Sequence, residues 1–208
     1  MEEIARSVAR ALLQIGGVKI DKENLLVFKS GITSPIYIDN RRFPFYPEAW
    51  KIVIDGFIKT IERERINFDV VGGIEAAGIP HSAALGYALG KPSVFIRKNT
   101  KDHGTKKMVE GGDVSGKTVL IIEDLITTGG SSLHGVEALR NEGATVQDCL
   151  VITSYGFEEA SSAFSAQHVQ LHSLTSLSII LEEGRTMKKF SDDQVTTVLA
   201  WAKELHKQ

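Results

Sequence analysis

From Phe68 to Thr153 the chain alternates short apolar runs with helical stretches, and that alternation leaves few folds open. A run from Phe68 to Gly72 leads to a helix over Pro80–Leu89, and a run from Ser93 to Arg97 leads to a polar loop. Thr118–Ile122 leads to a helix over Ser131–Asn141, and Thr145–Thr153 completes the series. Three of these four strands are runs of Val, Ile, Leu or Phe with no polar face, so both sides of each must be covered. The order dictates an α/β fold with a parallel sheet flanked by helices. Such a sheet takes its ligands at the C-terminal ends of its strands.

The flanks complete a single domain. Residues 4 to 15 place Val8, Ala9, Leu12 and Ile15 on one helical stripe that stops at Gly16-Gly17, a C-terminal cap. Two short extended pieces follow around Gly31, Val27–Gly31 and Ser34–Asp39, and then a helix from about Pro47 to Glu64. The tail opens on Ser191-Asp192-Asp193-Gln194, a capping box, ahead of Val195, Val198, Leu199, Ala202 and Leu205. Residues 1–64 thus form an N-terminal helix and hood, 65–160 the α/β core, and 161–208 the C-terminal helices that complete hood and core. At 208 residues and 42% hydrophobic content the chain can bury this core unaided.

Charge and cysteine usage narrow the function classes. A formal net charge of -2 gives no global positive field for nucleic acid or an anionic membrane surface. Cys149 is the only cysteine and lies in an apolar run, which excludes an internal disulfide and fits a reduced compartment. The start, Met1-Glu2-Glu3, is acidic where a signal peptide is basic, and no apolar run reaches the roughly 18 residues of a membrane span. A cytoplasmic protein without membrane or nucleic-acid partners is expected.

Chemistry concentrates after Ile122. The chain reads Glu123-Asp124-Leu125-Ile126-Thr127-Thr128-Gly129-Gly130-Ser131-Ser132 before the next helix begins, so two acids are expected at a strand's end. Beyond them, small residues let backbone N–H groups converge at a helix N-terminus, a seat for a phosphate monoester. An ordinary connection capped by Ser131 would explain the small residues but not the paired acids. A second candidate is the stretch from Arg97 to Gly112. Arg97, Lys98, Lys101, Lys106 and Lys107 outnumber Asp102 there, and Gly104 with Gly111-Gly112 supplies backbone freedom. It is expected to close as a lid on a polyanion.

Gly111 to Thr118 matches the P-loop pattern letter for letter, yet a P-loop follows a strand and opens a helix, whereas Thr118 begins a strand. His168 and His172, four apart beside Val169-Gln170-Leu171, are expected on the exposed face of a strand with no third metal ligand. Trp50 and Trp201 read as packing residues, and His81 and His134 as structural histidines.

Val119 to Ser132 resembles the phosphoribosyl pyrophosphate signature of the type I phosphoribosyltransferases: an apolar strand, two acids, two apolar residues, then Thr-Thr-Gly-Gly-Ser. Three further segments resemble the orotate-using members, particularly the compact bacterial kind. They are Phe28-Lys29-Ser30-Gly31 with Ser34-Pro35-Ile36-Tyr37, Gly72 to Pro80, and Arg97-Lys98 with Lys101-Asp102-His103-Gly104. The resemblance implies transfer of the 5-phosphoribosyl group to orotate in pyrimidine biosynthesis, with Mg²⁺ as cofactor, bound mainly through the substrate. By the same resemblance Glu123 and Asp124 meet the ribose hydroxyls, Leu125 and Ile126 belong to the phosphoribosyl pyrophosphate site, and Thr127, Thr128, Gly129, Gly130 and Ser131 hold the 5-phosphate. Gly73 to Gly78 lines the pyrophosphate, as do Arg97 and Lys98. Lys101 and His103 reach it from a neighbouring subunit of a homodimer that shares loop 97–112. Lys29, the Tyr37 and Ile38 backbone and Thr127 approach orotate.

Two positions depart from many orotate enzymes: Ala77 stands where they carry a lysine, and Ser154-Tyr155 where they carry an arginine that would pair with the orotate carboxylate. That leaves Lys29 for the task. The catalytic set is then Glu123, Asp124, Lys101 and His103, acting by electrostatic preorganisation rather than as nucleophiles. Two rivals stand beside this reading. One is a transferase for another base, against which Lys29-Ser30-Gly31 and the Lys101/His103 loop argue. The other is a regulator that binds nucleic acid, which would need an extended basic face.

Overall fold

The computed structural model describes residues 2–27, 31–98 and 107–205. Lys29, Ser30, Lys101, Asp102, His103, Gly104 and Lys106 lie outside the described residues. The N-terminal part runs α1 (Glu2–Gln14), β1 (Val18–Ile20), β2 (Leu26–Val27), β3 (Thr33–Ser34), β4 (Ile36–Ile38), a 3₁₀ turn (Asn40–Phe45) and α2 (Pro47–Glu64). The core follows as β5 (Val70–Ile74), α3 (Gly78–Leu89), β6 (Ser93–Ile96), β7 (Val109–Glu110), β8 (Val119–Ile126), α4 (Gly130–Asn141) and β9 (Asp148–Ser154). The chain closes with α5 (Glu158–Ala166), β10 (Gln170–Ser176), α6 (Leu177–Thr186) and α7 (Asp192–Leu205).

One sheet organises the molecule, in the order β10-β9-β8-β5-β6-β7. All neighbours are parallel except β7, which returns antiparallel to β6 with Ile96 opposite Val109. The parallel, helix-covered sheet is the one the alternation implied. It is larger, because β7 and β10 extend the four expected strands at the two edges. Strand bounds also shift. The run expected at Phe68–Gly72 pairs as Val70–Ile74, and the one expected from Thr145 pairs only from Asp148, Thr145 making an isolated bridge to Thr118.

Side chains alternate along β8 and so divide the core. Leu120 and Ile122 pack with Leu12, Phe57 and Leu85 from α1, α2 and α3. Val119 and Ile121 pack with Val136, Leu139 and Phe164 from α4 and α5 on the opposite face. That period of two is the strand's own geometry, and burial on both faces accounts for the unbroken apolar run.

The terminal segments form the hood. β1 and β4 pair antiparallel, with Val18 opposite Ile38, and β2 pairs with β3. From α7, Trp201 Nε1 donates to the carbonyl of Thr33 at 2.7 Å, which ties the C-terminal helix to this N-terminal piece. Both expected caps are present. Gly16 takes φ 69° after α1 with Gly17 N–H bonded to the Leu12 carbonyl at 2.9 Å, and Ser191 and Gln194 exchange their capping-box bonds at 3.0 and 3.2 Å. No helix among the described residues is long and apolar enough to cross a membrane.

Candidate active site

The strand order reverses between β5 and β8. β6 continues from β5 in one direction, and β9 and β10 continue from β8 in the other. The connections leaving the two strands therefore part and open a crevice at their C-terminal ends. β8 outruns its neighbour there. Its last pair with β5 is Ile122 opposite Gly73, whereas its pairing with β9 persists to Ile126 opposite Ser154. Glu123 and Asp124 thus stand inside a strand with one edge unpaired, not after its end as the sequence suggested. Continued pairing with β9 holds this segment extended.

Two close approaches shape the crevice. A Cβ on Gly78 would lie 2.4 Å from the Ile122 carbonyl oxygen, and one on Gly73 would lie 2.3 Å from Ser82 Oγ. Only glycine lets the start of α3 rest on the backbone of β8. Between them the Glu75–Ala76 peptide is cis. On the other side Gly129, at φ 87°, turns the chain into α4, which begins at Gly130. Gly129, not Ser131, occupies the N-cap position. The first N–H groups of α4 then point toward the cavity with no side-chain cap on them, an arrangement suited to an anion.

The resulting cavity is about 800 Å³. It is lined by Glu123, Asp124 and the Leu125–Ser132 segment, by Glu75, Ala76, Ala77 and Lys98, and by Val27, Tyr37, Ile38, Arg41 and Tyr155. Glu123, Asp124, Leu125, Ile126, Thr127, Thr128, Gly129, Gly130, Ser131, Lys98, Tyr37 and Ile38 are therefore brought together as the sequence grouped them. Arg97 is not on this surface. Its Nη1 lies 3.2 Å from Glu110 Oε1, and it lines an adjoining cavity of about 290 Å³ with Lys98, Ser131 and His134.

Glu123 is buried, with Oε1 accepting the Asp124 N–H at 3.0 Å and Oε2 the Ser132 hydroxyl at 3.3 Å. Burial, reinforced by the neighbouring Asp124 charge, pushes its carboxyl well above the usual carboxylate range. Burial raises Asp124 as well, opposed by its hydrogen bond with Glu123 and by the Arg41 charge. The Lys98 N–H donates to Glu75 Oε2 at 3.0 Å, which binds the start of loop 97–112 to the wall after β5.

The residues that sequence reasoning missed lie just beyond β4. Asn40 is fully buried and bridges the 3₁₀ turn to β8 and β9, and Arg41 follows it into the cavity wall. Arg41 Nε donates to Asp39 Oδ1 at 2.6 Å, and its Nη2 donates to the Tyr37 hydroxyl. The pair Arg41-Arg42 directly after the segment expected to face orotate was the available signal.

Other expectations resolve away from the cavity. Cys149 is buried, and burial pushes its thiol well above the ordinary range. His81 is buried, accepts the Trp50 indole N–H at Nδ1 at 2.9 Å, and is depressed by burial to about 4. His168 and His172 do not share an exposed face. His168 precedes β10 at φ 54°, and His172 is buried with Nε2 2.7 Å from Asp148 Oδ1.

Residues 47–163 match the phosphoribosyl transferase domain family. An orotate phosphoribosyltransferase of Staphylococcus haemolyticus is 37% identical over 202 residues, 97% of this chain and 100% of the relative. The chain belongs to the orotate phosphoribosyltransferases. Among solved structures, orotate phosphoribosyltransferase from Aeropyrum pernix superposes with TM-score 0.75 at 30% identity, covering 88% of this chain and 99% of that one. Leishmania donovani UMP synthase superposes with TM-score 0.82 at 25% identity over 96% of this chain. The chain spans 42% of the length of that larger protein.

Proposed function

We propose that the cavity joins the 5-phosphoribosyl group of phosphoribosyl pyrophosphate to N1 of orotate and releases pyrophosphate, giving orotidine 5′-monophosphate. The observation that carries this reading is the cavity at the sheet's switch point, lined together by the start of α4, by Glu123 and Asp124, and by Tyr37 and Ile38. The 5-phosphate sits over the Thr127–Ser131 backbone, within the partial positive charge of α4. The ribose lies on Glu123 and Asp124. Orotate lies against Tyr37, Ile38 and Thr127, with Lys29 as a further contact.

Breaking the C1–O bond leaves positive charge on the ribose and negative charge on the pyrophosphate. The paired acids stabilise the first. Burial raises both carboxyls in the free site, and positive charge developing at C1 favours their ionised form. Lys98, Lys101 and His103 stabilise the second, with Arg97 acting from the adjoining cavity that Lys98 and Ser131 also line. Mg²⁺ on the pyrophosphate would neutralise further charge, and Glu123 and Asp124 are the hard oxygen donors it would meet, because Mg²⁺ is ordinarily held by one or two carboxylates plus substrate phosphates. No protein nucleophile is required, since orotate N1 attacks directly.

The reading extends to assembly. Loop 97–112 leaves and re-enters the sheet edge through the β6–β7 pair, a placement that supports its serving a neighbouring subunit's cavity in a cytosolic homodimer. The test of the acceptor is loss of orotate absorbance on adding phosphoribosyl pyrophosphate and Mg²⁺, with adenine, hypoxanthine and uracil as competing acceptors. Orotate is expected to be used preferentially, and equal or better use of a purine would overturn the assignment.

A further inference from the structure

Orotate differs from uracil only by a carboxylate at C6, so an enzyme that selects it must pair that anion with a cation or strong donors as its water is removed. Where an arginine could follow β9, the chain has Ser154 and Tyr155, both buried and neither cationic. Among the described residues that line the cavity only Arg41 and Lys98 carry positive charge. They come from different segments. The Lys98 N–H donates to Glu75 Oε2, after β5, whereas Arg41 donates to the hydroxyl of Tyr37, which with Ile38 is the segment proposed to meet orotate.

We infer that Arg41 is the residue that reads the orotate carboxylate and so sets acceptor specificity. The inference rests on the proposed reaction. Three features support it. The guanidinium is held in place from one side, Nε on Asp39 at 2.6 Å and Nη2 on the Tyr37 hydroxyl. Its Nη1 makes no hydrogen bond to a described residue, and the side chain is 59% exposed, so donors of a planar fork remain for a carboxylate. Finally, the preceding Asn40 is anchored to the strands beneath, which fixes where the fork emerges. The competing role is indirect, since the Arg41 charge also favours ionised Asp124. That role would affect every acceptor alike.

Binding of orotidine 5′-monophosphate and uridine 5′-monophosphate separates the two, because these ligands differ only in the carboxylate. Isothermal titration of wild type, Arg41→Gln and Arg41→Lys with each nucleotide is the experiment. Wild type should prefer orotidine 5′-monophosphate. Arg41→Gln should lose roughly 10- to 100-fold on that nucleotide and under about threefold on uridine 5′-monophosphate, the range for one charge-assisted contact. Arg41→Lys should retain part of the preference, and exposure of the side chain should leave both melting temperatures near wild type. Equal losses on both nucleotides, or an undiminished preference in Arg41→Gln, would overturn the inference while leaving the reaction standing. Equal binding of both nucleotides by wild type would instead overturn the orotate reading, and Arg41's role with it.

Discussion

Asn40 and Asp124, 84 residues apart in the chain, are joined by one hydrogen bond: the Asn40 Nδ2 donates to the Asp124 main-chain carbonyl at 2.7 Å. The Asn40 Oδ1 accepts from Thr153 Oγ1 at 3.3 Å, so one buried amide fastens the hood to both strands under the site. Asn40→Ala strands two polar groups in the interior and frees Arg41 to drift from Asp124. We expect a loss of about 1–3 kcal/mol in urea unfolding and a fall of roughly 10-fold or more in kcat/KM. A variant as stable as wild type with normal kinetics would show that the hood is held elsewhere.

Glu123 gives a pH signature. Its carboxyl is raised by burial, so the folded state holds that proton more tightly than the unfolded chain does. This favourable contribution is complete below the ordinary carboxylate pKa and is lost as pH rises through the folded value. Glu123→Gln removes the titrating group. The variant should therefore gain stability relative to wild type as pH climbs from acid to neutral, while turnover falls by about 10² to 10³. Denaturant midpoints across pH compare the two proteins, and a constant offset would contradict the assignment.

His81 runs the other way. Depressed to about 4 from an ordinary 6.5, it contributes stability that is present above about pH 6.5 and lost as pH falls toward 4. The span corresponds to at most about 3 kcal/mol. His81→Gln should flatten the acid limb of the stability curve over that window. An unchanged limb would assign acid unfolding to other groups.

What the sequence disclosed of this site was its backbone machinery. Thr127 to Ser131 is a run of small residues that turns into α4 at Gly129, φ 87°, and Gly73 and Gly78 are glycine because α3 rests on β8. Both constraints act locally and leave a mark in composition. Asn40 left none, since its role depends on two strands that reach it only after folding. Arg41 was visible as a charge but not as part of the cavity. The length of β8 was also hidden: two acids read as a strand's end, whereas pairing with β9 alone carries the extended backbone to Ile126. β10 was legible as an alternating stretch around Val169-Gln170-Leu171 but not as a member of the sheet, because its polar Gln170, His172 and Ser173 leave an edge strand poorly marked by hydrophobicity.

If loop 97–112 serves a neighbouring subunit, as proposed, Lys101→Ala damages the loop a subunit donates and Asp124→Asn damages the cradle it keeps. In a mixed dimer one site carries both faults and the other neither. Random pairing makes about half the dimers mixed, so exchange between two nearly inactive variants should restore roughly a quarter of wild-type sites. With exchange shown by sedimentation, activity no higher than the parents' average would refute sharing.

Asp124 is proposed to stabilise the transferring ribose from the unpaired edge of β8. Steady-state formation of orotidine 5′-monophosphate by Asp124→Asn tests this most directly, with circular dichroism to establish the fold. We expect an intact fold and a fall of about 10² to 10³ in kcat, the usual effect of losing one preorganised charge. Turnover within about threefold of wild type would contradict it and remove Asp124 from the reaction.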